Sequence, residues 1–265
     1  MSLSAYVSGV GLLGPGLAGW PEAARVFAGE AALGAGRTVL PALSLLPAAE
    51  RRRVGRAVQV AMAVALEAAA GAGADPASFA CVFTSSGGDG HNCHALCESL
   101  AQPDRAVSPT RFSNSVHNAA AGYWSIATGS TLESTVLCAH DASFCAGLLE
   151  ALAQVSAAAK AVLLVAYDTE YPEPIHSKRP VPDAFGAALV LTPGRTPRSV
   201  ARLRAGFSDD KVEVMSNASL EILRGAIPAA RCLPLLHRLE RGTPGPCVLE
   251  YLDSLSVCVE LEPCG

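Results

Sequence analysis

The strongest constraint on the fold of this chain is the regular alternation of short apolar runs with stretches of helical periodicity. The apolar runs at residues 79–84, 161–166 and 185–191 are bounded by turn residues, which is typical of buried β-strands. Apolar residues recur at helical spacing over residues 144–159, and also over residues 47–70, where we predict one long helix. Strands that alternate with helices in this way predict an α/β fold.

The C-terminal quarter of the chain has a less regular pattern. It contains a candidate amphipathic helix at residues 233–239 and a closing strand at residues 256–261, in which apolar and polar residues alternate. We therefore expect a main domain over residues 1–194 and a reduced C-terminal portion, residues 195–265, packed on the same domain.

The composition excludes several classes of protein. Half of the residues are hydrophobic and 17% are charged, so the chain is not of the disordered class. The net charge of −4 gives no attraction to nucleic acid or to an anionic membrane surface, and no run reaches the ~20 apolar residues of a membrane span. The nine cysteines, an odd number in a long chain, argue for reduced thiols. We expect a cytoplasmic protein that neither binds nucleic acid nor spans a membrane.

The motif Gly9-x-Gly11-x-x-Gly14 lies between a predicted strand and a predicted helix near residues 21–28. It formally matches the dinucleotide-binding fingerprint, with Glu30 at about the distance of the acid that binds the ribose. A proline and a further glycine separate the turn from the helix, so the helix N-terminus is not where it would hold the phosphates. We therefore expect neither a nucleotide nor any other cofactor.

A second candidate cluster contains His91, Cys93, His94 and Cys97, and imidazole and thiolate groups are good zinc ligands. A structural zinc site normally joins two separated pairs of ligands. The sequence has no second Cys-x-x-Cys or His-x-x-x-His pair. We therefore expect a solvated helix start here rather than a metal site.

Four arginines, Arg51, Arg52, Arg53 and Arg56, lie near the start of the predicted long helix. The helix macrodipole favours carboxylates rather than cations at this end. Docking of an acidic partner would explain the arginines, and a solvated helix face is the other interpretation.

The segment 113–124 is the most distinctive part of the sequence, because it mixes polar and small residues with two adjacent aromatic residues. A lone histidine is usually a structural residue, but a polar loop that leads into a helix of small residues is also typical of an interface or a pocket wall. The candidate residues of such a surface, including one from the following helix, are Ser115, His117, Asn118, Tyr123, Trp124 and Phe144.

Four segments of the chain together resemble one family. They are Val7-Ser-Gly-Val-Gly-Leu-Leu-Gly-Pro-Gly16, Asn118-Ala-Ala-Ala-Gly-Tyr-Trp-Ser-Ile126, Asp141-Ala-Ser-Phe-Cys-Ala-Gly-Leu-Leu-Glu-Ala151, and Ser177-Lys-Arg-Pro-Val-Pro-Asp183 with the strand after it. In this order they are similar to the first strand and turn, the approach to the nucleophile, the nucleophile with its helix, and the Arg-Pro-x-Asp segment of the β-ketoacyl synthases of the thiolase fold. The resemblance covers about residues 5–192.

This resemblance implies a layered, thiolase-like α/β fold similar to the N-terminal half of a synthase, with a degenerate C-terminal portion. It also implies a loss of activity, because Asp141 stands where the family has its nucleophilic cysteine. The two catalytic histidines and the Gly/Phe-rich loop of the family's C-terminal half have no counterpart, and His176 and His237 match neither motif. We therefore expect that the chain is not an enzyme on its own.

The chemistry of the aspartate agrees with this expectation. The synthase cysteine lies at a helix N-terminus because the helix dipole favours the thiolate that attacks a thioester. An aspartate there is expected to cap the helix, and acyl transfer to it would form a mixed anhydride that is far more labile to water. Cys138 and Cys145 lie near Asp141 but not at the turn itself, so neither is expected to be a nucleophile.

By resemblance, the chain is similar to the chain-length factors that pair with an active synthase, and in particular to the short ones of aryl polyene pathways. The synthase would supply the cysteine and histidines in a heterodimer, this subunit would bound the growing acyl chain, and an acyl carrier protein is a further expected partner. Two alternatives stay open. One is a homodimeric scaffold that holds an acyl group or a carrier protein without a synthase, and the other is an acyltransferase or hydrolase that uses His117 or His140 with a nearby thiol.

Overall fold

A mixed β-sheet of eight strands runs through residues 3–265, the part of the chain that the computed structural model describes. In chain order the strands are β1 (Leu3–Leu13), β2 (Ala80–Thr84), β3 (Ser134–Leu137), β4 (Val162–Asp168), β5 (Phe185–Thr192), β6 (Ala201–Ser208), β7 (Gly245–Leu252) and β8 (Leu255–Pro263). Their order across the sheet is β3-β2-β4-β5-β1-β6-β8-β7, so β3 forms one edge and β7 the other.

Helices cover the sheet on both faces. The α-helices are α1 (Trp20–Phe27), α2 (Ala48–Arg51), α3 (Arg56–Ala72), α4 (Gly90–Ala101), α5 (Pro109–Ser113), α6 (Ala119–Thr128), α7 (Ser143–Ala158), α8 (Ala218–Ala226) and α9 (Leu233–Arg241). Short 3₁₀ helices lie at Pro76–Ser78, His140–Ala142 and Pro228–Cys232. One core forms between the sheet and helices α3 and α6, and the other forms between the opposite face and helices α1, α7 and α9.

The predicted α/β class is confirmed. Strands β2, β3 and β4 are parallel to one another, whereas β5 is antiparallel to both β4 and β1. Every residue of β2 and β4 is buried, because helices cover both faces of these strands. Burial on both faces explains why these strands appear in the sequence as uninterrupted apolar runs rather than as alternating ones.

The predicted single helix over residues 47–70 is wrong, because this segment forms the two helices α2 and α3 with a turn at residues 52–55. Helix α3 begins after Gly55 and ends at Gly73, which adopts a left-handed conformation with φ of 65°. That conformation favours glycine and stops the helix. The helix of small residues that the sequence predicts after the polar loop is confirmed as α6.

The C-terminal segment is more regular than its sequence indicates. Strands β6, β8 and β7 continue the main sheet beyond β1, and the predicted helix at 233–239 and strand at 256–261 are confirmed within α9 and β8. Helix α8 and strands β6 and β7 were not predicted. In β6 only Ala201 and Leu203 are buried, and the other residues are half-buried or exposed, so the strand lacks the apolar run that marks the buried strands.

The glycines of the opening motif allow close packing of β1 against α3. A Cβ atom on Gly9 would lie 2.1 Å from the carbonyl oxygen of Ala68, and one on Gly11 would lie 2.0 Å from that of Val64. Helix α1 does not start until Trp20, six residues after Gly14. The motif therefore serves helix-strand packing, and it lacks the direct passage from turn to helix that phosphate binding requires.

We predict that Gly11→Ala lowers the free energy of unfolding by about 3 kcal/mol or more, because α3 would have to move away from β1. Chemical denaturation followed by circular dichroism measures the change. The matched control is Gly206→Ala in β6, where a Cβ would meet nothing within 4 Å. Equal stability of the two variants would contradict the proposed packing role.

Candidate functional site

The residue at the predicted nucleophile position, Asp141, lies at the junction between β3 and α7. Strand β3 ends at Leu137, the 3₁₀ turn His140–Ala142 follows, and α7 begins at Ser143. His140 has a φ of 51°, in the left-handed region that non-glycine residues rarely adopt. The chain therefore makes a sharp turn that presents residue 141 directly before a helix.

Two arginines bind the carboxylate of Asp141. Arg179 donates from Nη2 to Oδ1 at 2.5 Å, and Arg231 donates from Nη2 to Oδ2 at 3.0 Å. Arg231 also reaches the backbone oxygen of Asp141 from Nη1 at 3.3 Å. The imidazole Nε2 of His140 lies 2.6 Å from Nη1 of Arg179, which completes a cluster of four side chains.

The electrostatics of this cluster favour an ionised aspartate. Partial burial acts to raise the pKa of Asp141, but the hydrogen bond from Arg179 and the charges of Arg231 and Arg179 outweigh it, so the pKa lies below its usual value. A carboxylate held by two guanidinium groups is a poor nucleophile because its lone pairs are engaged in charge-assisted hydrogen bonds. The geometry thus makes Asp141 a counter-ion.

The expectation that Asp141 caps α7 is wrong. The residue before α7 is Ala142, and no side chain caps the helix. Instead, the hydroxyl of Ser143 accepts a hydrogen bond from the backbone nitrogen of Ala139 at 3.0 Å and donates within the turn. The Asp141 carboxylate points to the arginines because charged donors bind it more strongly than neutral backbone groups do.

The Asp141 cluster connects the N-terminal strands to the C-terminal portion. Arg231 pairs with Glu250 of β7 at 3.0 Å, and Glu250 pairs with Arg224 of α8 at 3.3 Å. Arg224 in turn pairs with Glu221 at 2.6 Å. Charges of alternating sign therefore extend from the nucleophile position to α8.

A second carboxylate, Asp168, makes a similar connection deeper in the protein. It accepts hydrogen bonds from the backbone nitrogen and the hydroxyl of Ser86 and from the backbone nitrogen of Ala229, at 2.7–2.8 Å. Burial raises the pKa of Asp168 to about 6, against the opposing effect of these bonds. The end of β4, the loop after β2 and the C-terminal portion therefore meet at this residue.

The two thiols near Asp141 lie in different surroundings. Cys145 is buried, and burial raises its pKa to about 12, so it carries no thiolate near neutral pH. Cys138 is exposed, and its thiol donates to the backbone oxygen of Ser86 at 3.1 Å. Among residues 3–265, no hydrogen bond joins Cys138 to His117 or His140, so the structure forms no cysteine-histidine pair at this place.

Four of the six predicted surface residues lie around α5 and α6. Ser115, His117 and Asn118 are exposed, whereas the side chain of Tyr123 is largely buried and its hydroxyl donates to Oδ1 of Asn114 at 3.1 Å. Asn118 and Tyr123 line a cavity of about 450 Å³ together with Val116, Gly122 and Ile126 and other residues. Apolar side chains on this surface are more than half exposed: Phe112 at 68%, Val116 at 52% and Ile126 at 54%.

Trp124 and Phe144 do not lie on this exposed surface, since both side chains are buried in the core. Trp124 lies under α3 in one core, and Phe144 lies in the other core on the opposite face of the sheet. Both follow a polar loop or turn in the sequence. Their position on the inner side of α6 and α7 is set by the direction of each helix, which the local sequence does not reveal.

Of the four predicted docking arginines, three bind other groups in the described part of the chain and one, Arg52, does not. Arg56 binds Asp183 at 3.0 Å and Glu170 at 3.1 Å, so it is a structural residue. Arg51 donates to the backbone oxygen of Leu46, and Arg53 pairs with Glu50 at the surface. Arg52 is exposed and has no ionic partner within residues 3–265. Arg52, Arg53, Arg56 and Arg111 all line a cavity of about 450 Å³.

The histidine and cysteine cluster lies on α4. Cys93 and Cys97 are exposed, and His94 pairs with Glu98 at 3.3 Å. Over residues 3–265 no group of three or more potential ligands converges on one point. Within the same range, every helix is too short or too polar to cross a membrane.

Comparison with known families identifies the family of this chain. The sequence matches the family described as the N-terminal domain of β-ketoacyl synthase over residues 20–233. The chain belongs to this family. No curated protein matches the sequence.

Solved structures share the fold over the whole chain. One is a ketosynthase (ApeO) in complex with its chain length factor (ApeC) from Xenorhabdus doucetiae, with 23% identity, a TM-score of 0.73, and coverage of 97% of this chain and 99% of that chain. The ishigamide ketosynthase/chain length factor has 14% identity, a TM-score of 0.73 and coverage of 99% and 100%. The complex AntDE:AntF has 13% identity, a TM-score of 0.74 and full coverage of both chains. The predicted thiolase-like fold is thereby confirmed.

Sequence reasoning missed both partners of Asp141. Arg179 lies 38 residues away in the Arg-Pro segment, and Arg231 lies 90 residues away in a 3₁₀ turn. No local spacing connects residues so far apart. The signal available was the presence of arginines in otherwise apolar or proline-rich segments, which indicates a buried counter-ion elsewhere.

We predict that Asp141→Asn lowers the free energy of unfolding at pH 7 by about 1–2 kcal/mol, because Arg179 and Arg231 lose their shared negative charge. Since the folded pKa of Asp141 lies below its unfolded value, this stabilisation is present above about pH 4 and is lost as the pH falls through the folded pKa. Denaturation curves from pH 3 to pH 7 measure it, with Asp209→Asn as the exposed control. A difference from the wild type that stays constant over this range would contradict the counter-ion role.

Proposed function

We propose that this chain is a non-catalytic subunit, similar to a chain-length factor, that pairs with an active β-ketoacyl synthase during elongation of carrier-bound acyl chains. The observation that carries the proposal is the engagement of Asp141 by Arg179 and Arg231 at the position of the family's nucleophile. A carboxylate has no sulfur with which to form the acyl thioester on which condensation depends, and the two ion pairs further weaken it as a nucleophile. Condensation then requires a cysteine from another subunit.

The solved structures with this fold support the pairing. Two of them are described as a ketosynthase with a chain length factor, and a third as a ketosynthase in complex with an acyl-carrier protein. In each case the fold similarity extends over nearly the whole of both chains. A chain of this length and fold is thus compatible with such assemblies.

The surface around α5 and α6 is the best candidate for the contact with the synthase. It carries the exposed side chains of Phe112, Val116 and Ile126. His117 connects it to the edge strand, since its Nε2 lies 3.3 Å from the backbone oxygen of Leu137 in β3. β3 pairs only with β2 in the described chain, so its outer edge is open. An open edge strand beside apolar side chains is a typical protein interaction surface.

The same surface offers a place for the acyl chain. The cavity at Asn118, Gly122 and Tyr123 is partly apolar and opens on this side of the molecule. In the proposed assembly the partner would cover it and the two subunits would together bound the growing chain. By resemblance of the segment from Ser115 to Trp124, we propose polyene or fatty acyl chains of the aryl polyene type.

The cavity lined by arginines is the proposed contact for an acidic carrier protein. Arg52 and Arg111 have no carboxylate partner in the described chain, whereas the carboxylates of the cavity are engaged, with Asp89 capping α4 and Glu170 pairing with Arg56. The cavity therefore has an excess of positive charge. Such a patch attracts an acidic protein and increases its rate of association.

We predict that this chain, co-expressed with a synthase encoded beside it, elutes from a sizing column as a one-to-one complex. Ile126→Glu should weaken the complex at least about tenfold, because pairing would bury an unpaired carboxylate. The matched control is Ile222→Glu on α8, where the wild-type side chain is 70% exposed and lies outside the proposed surface. Analytical ultracentrifugation gives the dissociation constants.

Other outcomes of this experiment contradict the proposal in distinct ways. A stable homodimer that ignores every co-expressed synthase would favour the homodimeric scaffold. Equal weakening by Ile126→Glu and Ile222→Glu would place the contact elsewhere. Condensation by the isolated chain would overturn the non-catalytic role.

We predict that Arg52→Glu lowers the affinity of the complex for an acidic acyl carrier protein about fivefold, which is the size of one exposed ion pair. The decrease should shrink at high salt because exposed charges are screened. Arg25→Glu, on the exposed side of α1, is the matched control. Fluorescence anisotropy at two salt concentrations measures the binding. If Arg52→Glu changes neither the affinity nor its salt dependence, Arg52 lies on a solvated helix face and does not contact the carrier protein.

A further inference from the structure

Two thiols outside the proposed functional surfaces stand together on one face of α4. Cys93 and Cys97 are four residues apart within the helix Gly90–Ala101, and both are exposed. Residues at this spacing are neighbours on a helix surface.

The helix geometry decides what the pair can form. Side chains at this spacing have Cβ atoms about 5–6 Å apart, whereas a disulfide needs about 3.5–4.5 Å. The two cysteines therefore cannot form a disulfide while α4 is intact. A bridging metal ion spans a wider gap: at the Zn–S bond length of about 2.3 Å, two bonds hold the sulfurs up to about 4.6 Å apart, whereas a disulfide holds them at about 2.0 Å.

We propose that Cys93 and Cys97 form a two-thiolate binding site for a soft, low-coordinate metal ion of the Cu(I) class. Soft thiolate ligands select such ions, and two-coordinate binding needs no third protein ligand. The site is independent of the proposed synthase pairing, because it uses neither Asp141 nor the surface around α5 and α6.

The binding step balances without a redox reaction. Each thiol loses its proton to solvent, two sulfur-copper bonds form, and Cu(I) leaves its previous ligand without a change of oxidation state. Asp89 at the start of α4 is occupied as the helix cap, with Oδ1 accepting from the backbone nitrogen of Asn92 at 2.9 Å. His94 is engaged by Glu98, so the two thiolates carry the binding.

The test is a titration of the purified full chain with Cu(I) supplied from a chromophoric Cu(I) chelator. We expect one Cu(I) per chain, with Cys93→Ser and Cys97→Ser each lowering the affinity at least about 100-fold, because either change leaves a single ligand. Cys138→Ser is the matched control, since Cys138 is also exposed but has no neighbouring thiol on a helix face. Circular dichroism confirms that α4 is retained in each variant.

Several results would overturn the proposal. These are the absence of stoichiometric binding to the wild type, binding to Cys93→Ser that equals the wild type, or loss of binding in Cys138→Ser. Dimerisation that depends on Cu(I) would assign the two ligands to different chains and would also overturn it. Pairing with the synthase is measured separately, so its failure does not affect this result.

Discussion

The contact between β1 and α3 is the constraint on which the rest of the structure depends. Strand β1 lies between β5 and β6, so it joins the first five strands to the C-terminal three. Helix α3 approaches it so closely that only glycine fits at Gly9 and Gly11. The carboxylate of Glu67 on α3 accepts hydrogen bonds from the backbone N–H groups of Leu12 and Trp20, at 2.8 and 2.7 Å. These bonds fix the end of β1 and the start of α1. The sheet, and with it the junction at Asp141, is oriented by this packing.

The junction at Asp141, which the sequence resemblance predicts to be the nucleophile position, is built around an ion-paired carboxylate. A sharp turn presents this side chain directly before α7. The carboxylate binds Arg179 and Arg231, and Arg231 belongs to the C-terminal portion. Asp141 is therefore part of the connection between the two ends of the chain. Replacing it by cysteine would leave both arginines without their counter-ion.

The distribution of charged and apolar residues separates the surfaces of the molecule. Apolar side chains are exposed around α5 and α6, next to the open edge of β3. Positive charge collects in the cavity between α3, α4 and α5, where Arg52 and Arg111 have no ionic partner in the described chain. Many of the remaining arginines are paired with carboxylates, as Arg56 is with Asp183. The apolar surface around α5 and α6 and the arginine cavity are the proposed contacts with other proteins, whereas ion pairs such as that of Arg56 with Asp183 hold the scaffold together.

Periodicity and composition by themselves determined the α/β class, the buried strands β2, β4 and β5, and helix α6, because burial on both faces and helical spacing leave local patterns. The resemblance of short motifs also predicted that Asp141 stands at the nucleophile position. Only the tertiary structure decided that Trp124 and Phe144 face the core, that Arg56 is structural, and that β6, β7 and β8 extend the main sheet. The partners of Asp141 were likewise decided only by the tertiary structure. They come from 38 and 90 residues away, and a contact between distant residues is set by how the sheet and helices pack, which local spacing does not contain.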